Sequence, residues 1–144
     1  MNQVIDANLA VALVLATPYS AQAQVLWSRW DAEAADLFAP DLWAYEVTSA
    51  LRKAMSITGM PLREAKLRLE TLMHLEVGLI PPTLALNALA LQWTERLGQA
   101  VAYDAQYLAL AETLDCEFWT ADRRLADAVG DQVVWVHWIG ELST

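Results

Sequence analysis

The chain is short of basic residues, of cysteine and of long apolar runs. Nine Lys and Arg residues stand against eighteen Asp and Glu residues, which gives a formal net charge of −9. Non-specific binding of nucleic acid depends on basic side chains that neutralise phosphates, so this composition argues against it and suits a divalent cation or a basic partner segment. The single cysteine, Cys116, excludes an internal disulfide and a Cys-x-x-Cys metal site. We expect it to be a small buried hydrophobe.

No segment has the composition of a membrane span or of a leader peptide. The longest apolar run near the start, residues 9–16, is shorter than the roughly 20 residues that a bilayer requires. No charged region precedes this run and no small-residue cleavage site follows it. We therefore expect a cytoplasmic protein without a membrane partner. With 56% hydrophobic residues, 144 residues suffice for a single domain over 1–144 with its own core.

Short apolar strands alternate with longer helical segments along the chain. Strands are predicted at residues 4–5, 37–40, 77–80, 117–120 and 132–138. Helices are predicted from about residue 9 and over 21–35, 42–58, 62–75, 83–97, 104–114 and 122–129. This alternation predicts an α/β fold in which helices cover both faces of a parallel sheet.

Four acidic residues fall at strand ends, at helix starts or on an apolar helix face: Asp6, Glu46, Asp104 and Asp122. Helix capping is an alternative explanation for the three Asp residues. For Glu46 the alternatives are a salt bridge to an arginine and a position at the rim of the apolar helix face. Glu46 is nevertheless the most informative, because it lies among apolar residues of its helix and a buried carboxylate is costly unless it is paired or metal-bound. The coincidence of all four indicates one shared site at the carboxyl ends of the strands.

A cluster of carboxylates favours hard divalent cations. Two carboxylates about 5 Å apart repel each other by roughly 3 kcal/mol at an effective dielectric constant of 20, so a cluster must take up protons or bind a cation. Oxygen ligands suit one or two Mg²⁺ or Mn²⁺ ions, and His74 and His137 have no partners at zinc spacing. Such ions activate water for attack on phosphodiesters, so the pattern predicts a metal-dependent phosphodiesterase.

Other polar residues flank the four acids. Asn8 and Thr120 could hydrogen-bond a ligand water or a carboxylate, or could make only local turn bonds. Asp127, further along the last predicted helix, is a supporting candidate for the site. Arg123 and Arg124 are candidates for contact with a phosphate backbone, although a solvated charged surface is the default interpretation of both.

Around these acids the chain resembles the PIN domains, and more narrowly the VapC-type toxin ribonucleases of type II toxin–antitoxin systems. The matching segments are residues 4–8, 45–51, 103–111 and 120–125. The resemblance implies a PIN-like three-layer α/β/α sandwich around a central, mostly parallel sheet of about five strands. It also implies Mg²⁺- or Mn²⁺-dependent endonucleolytic cleavage of RNA. Asp6, Glu46, Asp104 and Asp122 would then be the catalytic and metal-binding acids.

The resemblance further implies an RNA substrate, a homodimer and a small antitoxin protein whose tail enters the active-site groove. In two respects the chain departs from the family pattern. Asn8 stands where the family often has Ser or Thr, and the charge of −9 leaves little basic surface for RNA. The second departure puts substrate affinity in question.

Three other acidic α/β folds fit the sequence poorly. A receiver domain needs paired acids after the first strand and a lysine late in the chain, whereas the lysines here are Lys53 and Lys66. A haloacid-dehalogenase-type phosphatase needs Asp-x-Asp, and a von Willebrand-type adhesion module needs Asp-x-Ser-x-Ser, where residues 6–10 read Asp-Ala-Asn-Leu-Ala. The remaining alternative is a PIN-fold module that binds RNA or protein without cleavage.

Overall fold

The computed structural model of the chain describes residues 1–144 as five strands, seven α-helices and one 3-10 turn. The strands are β1 (Asn2–Ile5), β2 (Asp36–Pro40), β3 (Gly78–Ile80), β4 (Glu117–Thr120) and β5 (Val136–Trp138). The helices are α1 (Ala7–Val11), α2 (Ser20–Ala32), α3 (Leu42–Thr58), α4 (Leu62–Met73), α5 (Leu84–Leu97), α6 (Tyr103–Leu114) and α7 (Arg123–Val129). None of the helices is long and apolar enough to cross a membrane.

The five strands form one sheet in the order β3-β2-β1-β4-β5, and all four pairings are parallel. The predicted α/β fold with a parallel sheet is confirmed. The chain builds the sheet outward from β1 in one direction through β2 and β3, and then in the other through β4 and β5. In such sheets the connections leave a crevice at the carboxyl ends of the two strands where the direction changes, which here are β1 and β4.

Successive residues of each strand point to opposite faces of the sheet. Because both faces carry apolar residues, helices cover both of them. Val4 and Phe118 belong to the larger hydrophobic cluster, which also contains buried residues of α3, α5 and α6. Ile5 belongs to a smaller cluster on the other face, where Leu26 and Trp30 of α2 pack. The structure is therefore the three-layer sandwich expected from the sequence.

The last strand is shorter than the sequence predicts. Residues 132–138 read as a β-branched and aromatic strand, but only Val136–Trp138 pair with β4. The preceding residues form turns instead, in which the Val133 N–H donates to the Gly130 carbonyl and the Val136 N–H donates to the Val133 carbonyl. Val133 is buried in the larger cluster, so a tertiary contact overrides its local strand preference.

Substitution of Phe118 tests the packing beneath the site most directly. Its side chain is 0% exposed on the central strand β4, and its ring stacks on Tyr107 of α6 at a centroid distance of 5.7 Å. Phe118→Ala should lower the free energy of unfolding by roughly 3 to 5 kcal/mol because it leaves a cavity. The control Val134→Ala, at a residue that is 78% exposed, should change it by less than about 0.5 kcal/mol. Urea unfolding measures both, and equal costs would contradict the assignment of Phe118 to the core.

Candidate active site

Four separate elements bring the four predicted acids to one small pocket at the carboxyl end of the sheet. Asp6 is the N-cap of α1, Glu46 lies on α3, Asp104 lies in the first turn of α6, and Asp122 is the N-cap of α7. All four line the same pocket, together with Ala7, Asn8, Tyr107 and Leu125. The pocket lies at the crevice between β1 and β4, because Asp6 follows the first of these strands and Asp122 the second.

Asp6 is the most buried of the four acids, at 8% exposure, and the protein satisfies both of its oxygens. Oδ1 accepts from the Leu9 N–H at 2.8 Å, and this cap starts α1 two residues earlier than the sequence predicts. Oδ2 accepts from the Thr120 hydroxyl and from the Ala121 N–H at 3.2 Å. Asp6 therefore both caps α1 and lines the pocket.

Thr120 joins two of the acids. Its buried hydroxyl donates to Asp6 and accepts from the N–H of Asp122 at 2.9 Å. The carboxylate of Asp122 caps α7, where Oδ1 accepts from the N–H groups of Arg124 and Leu125 at 2.9 and 3.2 Å. One hydroxyl at the end of β4 therefore fixes the distance between the end of β1 and the start of α7.

Glu46 is half-buried and takes its hydrogen bond from a tyrosine. The Tyr107 hydroxyl donates to Oε1 at 2.6 Å, and no arginine pairs with Glu46, so the salt-bridge alternative is wrong. Sequence reasoning missed Tyr107 as a member of the site. The signal was present, because Tyr107 follows Asp104 by three residues on α6 and such residues share a helix face. Burial and the neighbouring Glu46 raise the pKa of the Tyr107 phenol, which keeps it a donor.

Three of the acids have pKa values that are raised by burial and by the charge of a neighbouring acid. Burial, with a smaller contribution from the charge of Glu46, raises the pKa of Asp6 to about 7 against the opposing effect of its three hydrogen bonds. Burial and then the charge of Asp104 raise the pKa of Glu46, while Tyr107 lowers it. Burial and then the charge of Asp122 raise the pKa of Asp104. No lysine, arginine or histidine pairs with any of the four. Their mutual repulsion is therefore not offset by a basic side chain.

The pocket fits Mg²⁺ or Mn²⁺ by its donor chemistry, which is carboxylate oxygen throughout. The present side-chain positions do not form a metal site, because no group of three or more His, Cys, Asp or Glu residues is arranged so that it could hold a metal ion. Both oxygens of Asp6 and one oxygen of Glu46 accept from protein donors, and carboxylates that bind metals are commonly hydrogen-bonded in this way. Binding of a cation would require side-chain movement that brings at least three of the carboxylates together around it.

The other predicted residues lie around this pocket or outside it. Asn8 lines it and is exposed, but its side chain makes no hydrogen bond in the structure. Asp127 does not line it and instead pairs with Arg123 at 3.7 Å across an exposed helix face. The Arg123 guanidinium also lies 5.0 Å from the centre of the Trp138 ring, and Arg124 is exposed. The pocket therefore contains the four acids without Asp127 and without a basic side chain.

Comparison with known proteins relates the whole arrangement to one family. The PIN domain family model matches residues 4–130, a span that includes all four acids. Ribonuclease VapC9 of Mycobacterium tuberculosis and a VapC ribonuclease of Mycobacterium bovis are each 33% identical over 124 residues, which is 86% of this chain and 88% of theirs.

Two solved structures share the fold at low sequence identity. VapC20 of M. tuberculosis, described as a toxin that cleaves the sarcin-ricin loop, superposes with a TM-score of 0.62 at 15% identity over 83% of this chain and 87% of its own. VapBC2 from Rickettsia felis, bound to a DNA fragment from its promoter, superposes with a TM-score of 0.64 at 11% identity over 87% of this chain and 91% of its own.

The raised pKa of Asp6 predicts how stability depends on pH when metal is absent. The folded protein holds the Asp6 proton up to about pH 7, whereas the unfolded chain releases it near the ordinary value of 3.8. Between these values the unfolded state binds fewer protons, so the stability of the wild type falls as the pH rises. Asp6→Asn carries no such charge and retains a capping side chain.

Relative to the wild type, Asp6→Asn should therefore gain on the order of 3 kcal/mol in free energy of unfolding between pH 4 and pH 8. Urea unfolding in EDTA at both pH values measures this. Asp131→Asn, at an exposed acid away from the pocket, serves as the control and should show no comparable trend. If Asp6→Asn changes the free energy of unfolding by the same amount at pH 4 and at pH 8, the wild-type carboxyl is not buried with a raised pKa.

Proposed function

The chain belongs to the PIN-domain family, in which its relatives are VapC proteins, and on this premise we propose that it is a metal-dependent endoribonuclease that acts as the toxin of a toxin–antitoxin pair. The observation that carries the proposal is the pocket of four carboxylates from four elements, with no basic residue to neutralise them. The names of the relatives supply the substrate class, because they are ribonucleases at 33% identity.

The proposed chemistry is hydrolysis of an RNA phosphodiester bond. Asp6, Glu46, Asp104 and Asp122 would hold one or two Mg²⁺ or Mn²⁺ ions, which supply an activated water and compensate the charge of the phosphate. The protein's own contribution is to fix the acids. Thr120 ties the Asp6 carboxylate to the start of α7, and the Tyr107 hydroxyl orients Glu46. The proton that Asp6 carries below about pH 7 is the charge that a bound cation would replace.

The proposed partners follow from the family. We expect an antitoxin, as the name of the R. felis VapBC2 assembly suggests, and a homodimer of this chain. Arg123 and Arg124 are proposed to contact the RNA backbone, since both are exposed at the start of α7 directly after Asp122. Asn8 is proposed to contact a water beside the acids because it lines their pocket. A cytoplasmic location stays a prediction.

One observation favours a second candidate, a PIN-fold module that binds RNA or protein without cleavage. The acids as they stand do not form a metal-holding group of three. The two candidates differ in whether a divalent cation binds the folded chain.

Thermal melting with Mn²⁺ separates these candidates. If the cation binds only the folded state, Mn²⁺ at about 100 times its Kd should raise the Tm by roughly 5 to 10 °C. Asp104→Asn should remove most of this increase because it removes one carboxylate from the pocket, while Asp127→Asn should retain it. The absence of any increase for the wild type at millimolar Mn²⁺ would favour the non-cleaving module.

Cleavage of a cellular RNA pool, with the cut sites mapped, tests the reaction itself. Asp122→Asn keeps a side chain that can cap α7, so the fold should persist while cleavage falls by about 100-fold or more. Asp127→Asn lies on the same helix outside the pocket and should cut as the wild type does, and EDTA should abolish cutting by both active proteins. Equal cutting by Asp122→Asn and Asp127→Asn would mean that the site is wrongly assigned or that the cutting comes from another nuclease.

A further inference from the structure

A second pocket opens beside the carboxylates at the same end of the sheet. It has a volume of about 340 Å³, and six of its eleven lining residues are hydrophobic. This volume is at the lower end of the range for small-molecule sites, and the apolar lining with a few polar groups is typical of them. We call it the tyrosine pocket, after Tyr45 of α3 and Tyr103 of α6, which line it with Pro40, Ile80 and Pro82.

The tyrosine pocket and the carboxylate pocket share two walls. Tyr45 immediately precedes Glu46 on α3, and Tyr103 immediately precedes Asp104 on α6. The tyrosine pocket lies at the ends of β2 and β3, and the carboxylate pocket lies at the ends of β1 and β4. Neighbouring strands are about 4.8 Å apart, so the two pockets lie within one or two strand spacings of each other. One bound chain could therefore occupy both.

The charge of the protein limits how it can hold an RNA. With a net charge of −9 and no basic residue lining either pocket, neutralisation of phosphates cannot supply most of the affinity. Single-stranded RNA is bound in another way when its bases unstack and lie against aromatic side chains, at about 1 to 3 kcal/mol per base. Tyr45 and Tyr103 are 73% and 62% exposed, so their rings are available for such contacts.

We propose that the tyrosine pocket receives one unstacked base of the RNA adjacent to the bond that is cut, with Tyr45 and Tyr103 as its stacking surfaces. This inference rests on the proposed ribonuclease function and adds to it a subsite that determines where the RNA is cut. The pocket positions the substrate, while the acids that follow these tyrosines on α3 and α6 act on the phosphate together with Asp6 and Asp122.

Two polar groups in the tyrosine pocket are available to the edge of a base. Asp41 precedes α3 but makes no side-chain capping bond, so its carboxylate is available as an acceptor. The Gln106 side-chain N–H donates to Asn87 Oδ1 at 3.1 Å, which leaves the Gln106 carbonyl oxygen as a second acceptor. Acceptors match N–H donors on the edges of bases, which include the exocyclic amino groups of adenine, cytosine and guanine and the N3–H of uracil. The two oxygens therefore supply polar contacts to the edge of a base whose face stacks on the tyrosines.

The test combines protein variants with abasic RNA. A short single-stranded RNA that the wild type cuts once is prepared in versions that each lack the base at one position near the cut. In the wild type, loss of the base that enters the pocket should slow cleavage by roughly 5- to 150-fold. The double variant Tyr45→Ala/Tyr103→Ala should cut the intact RNA more slowly than the wild type does, by a similar factor. This variant should cut the abasic RNA as fast as it cuts the intact RNA.

Matched variants control for the fold and for the phenol groups. Tyr45→Phe/Tyr103→Phe keeps both rings and should retain the dependence on the base. Leu67→Ala removes an exposed apolar side chain on α4, away from both pockets, and should behave as the wild type does.

Three outcomes would overturn the inference. The first is an abasic penalty of the same size in the wild type and in the Ala variant. The second is an equal loss of activity on every RNA together with a change in oligomeric mass, because the surface would then join two copies of this chain. The third is unchanged cleavage by the Ala variant. Failure of the wild type to cut any RNA would instead reject the proposed function, and it is recognised before any variant is made.

Discussion

The burial of like charges at the end of the central strand is the constraint on which the site depends. Asp6 follows β1, which has a strand on each side, so its carboxylate is enclosed by the fold. Three other acids reach the same pocket from α3, α6 and α7, and no basic side chain accompanies them. A fold selected for stability alone would not collect these charges, because each raises the cost of ionising its neighbour. This arrangement is typical of a functional site whose pKa values are perturbed by burial and charge together.

The hydrogen bonds explain how the chain tolerates this arrangement before any ligand binds. Thr120 and backbone N–H groups satisfy Asp6, and Tyr107 satisfies one oxygen of Glu46. These donors stabilise the ionised carboxylates, but burial outweighs them at Asp6. In their present positions no three of the acids are arranged so that they could hold a metal ion. Function of the proposed kind thus requires local side-chain movement, beside a Tyr107 ring that stacks on the buried Phe118.

Local patterns in the sequence were enough to predict the alternation of elements, and therefore the parallel sheet and the four acids at its end. They also indicated that Thr120 could hydrogen-bond a carboxylate, which the structure confirms at Asp6, but they missed Tyr107 as the donor to Glu46. Tyr107 reaches Glu46 across 61 residues of chain and Thr120 reaches Asp6 across 114, so local pattern does not tell which acid each of them contacts. The shortening of β5 has the same origin, because a buried contact of Val133 decides its conformation. Local pattern predicts which residues can face a site, whereas tertiary contacts decide which of them hold the site together.

The central claim is that these acids share one divalent cation or a pair of them. Anomalous X-ray scattering from crystals grown near pH 7.5 with Mn²⁺ locates such ions directly. The account predicts one or two manganese peaks in the pocket, each within ligand distance of oxygens of Asp6, Glu46, Asp104 or Asp122, with at least one of these side chains moved from its present position. A crystal soaked in millimolar Mn²⁺ that shows no peak there, or shows one only at surface acids such as Asp127, would contradict it.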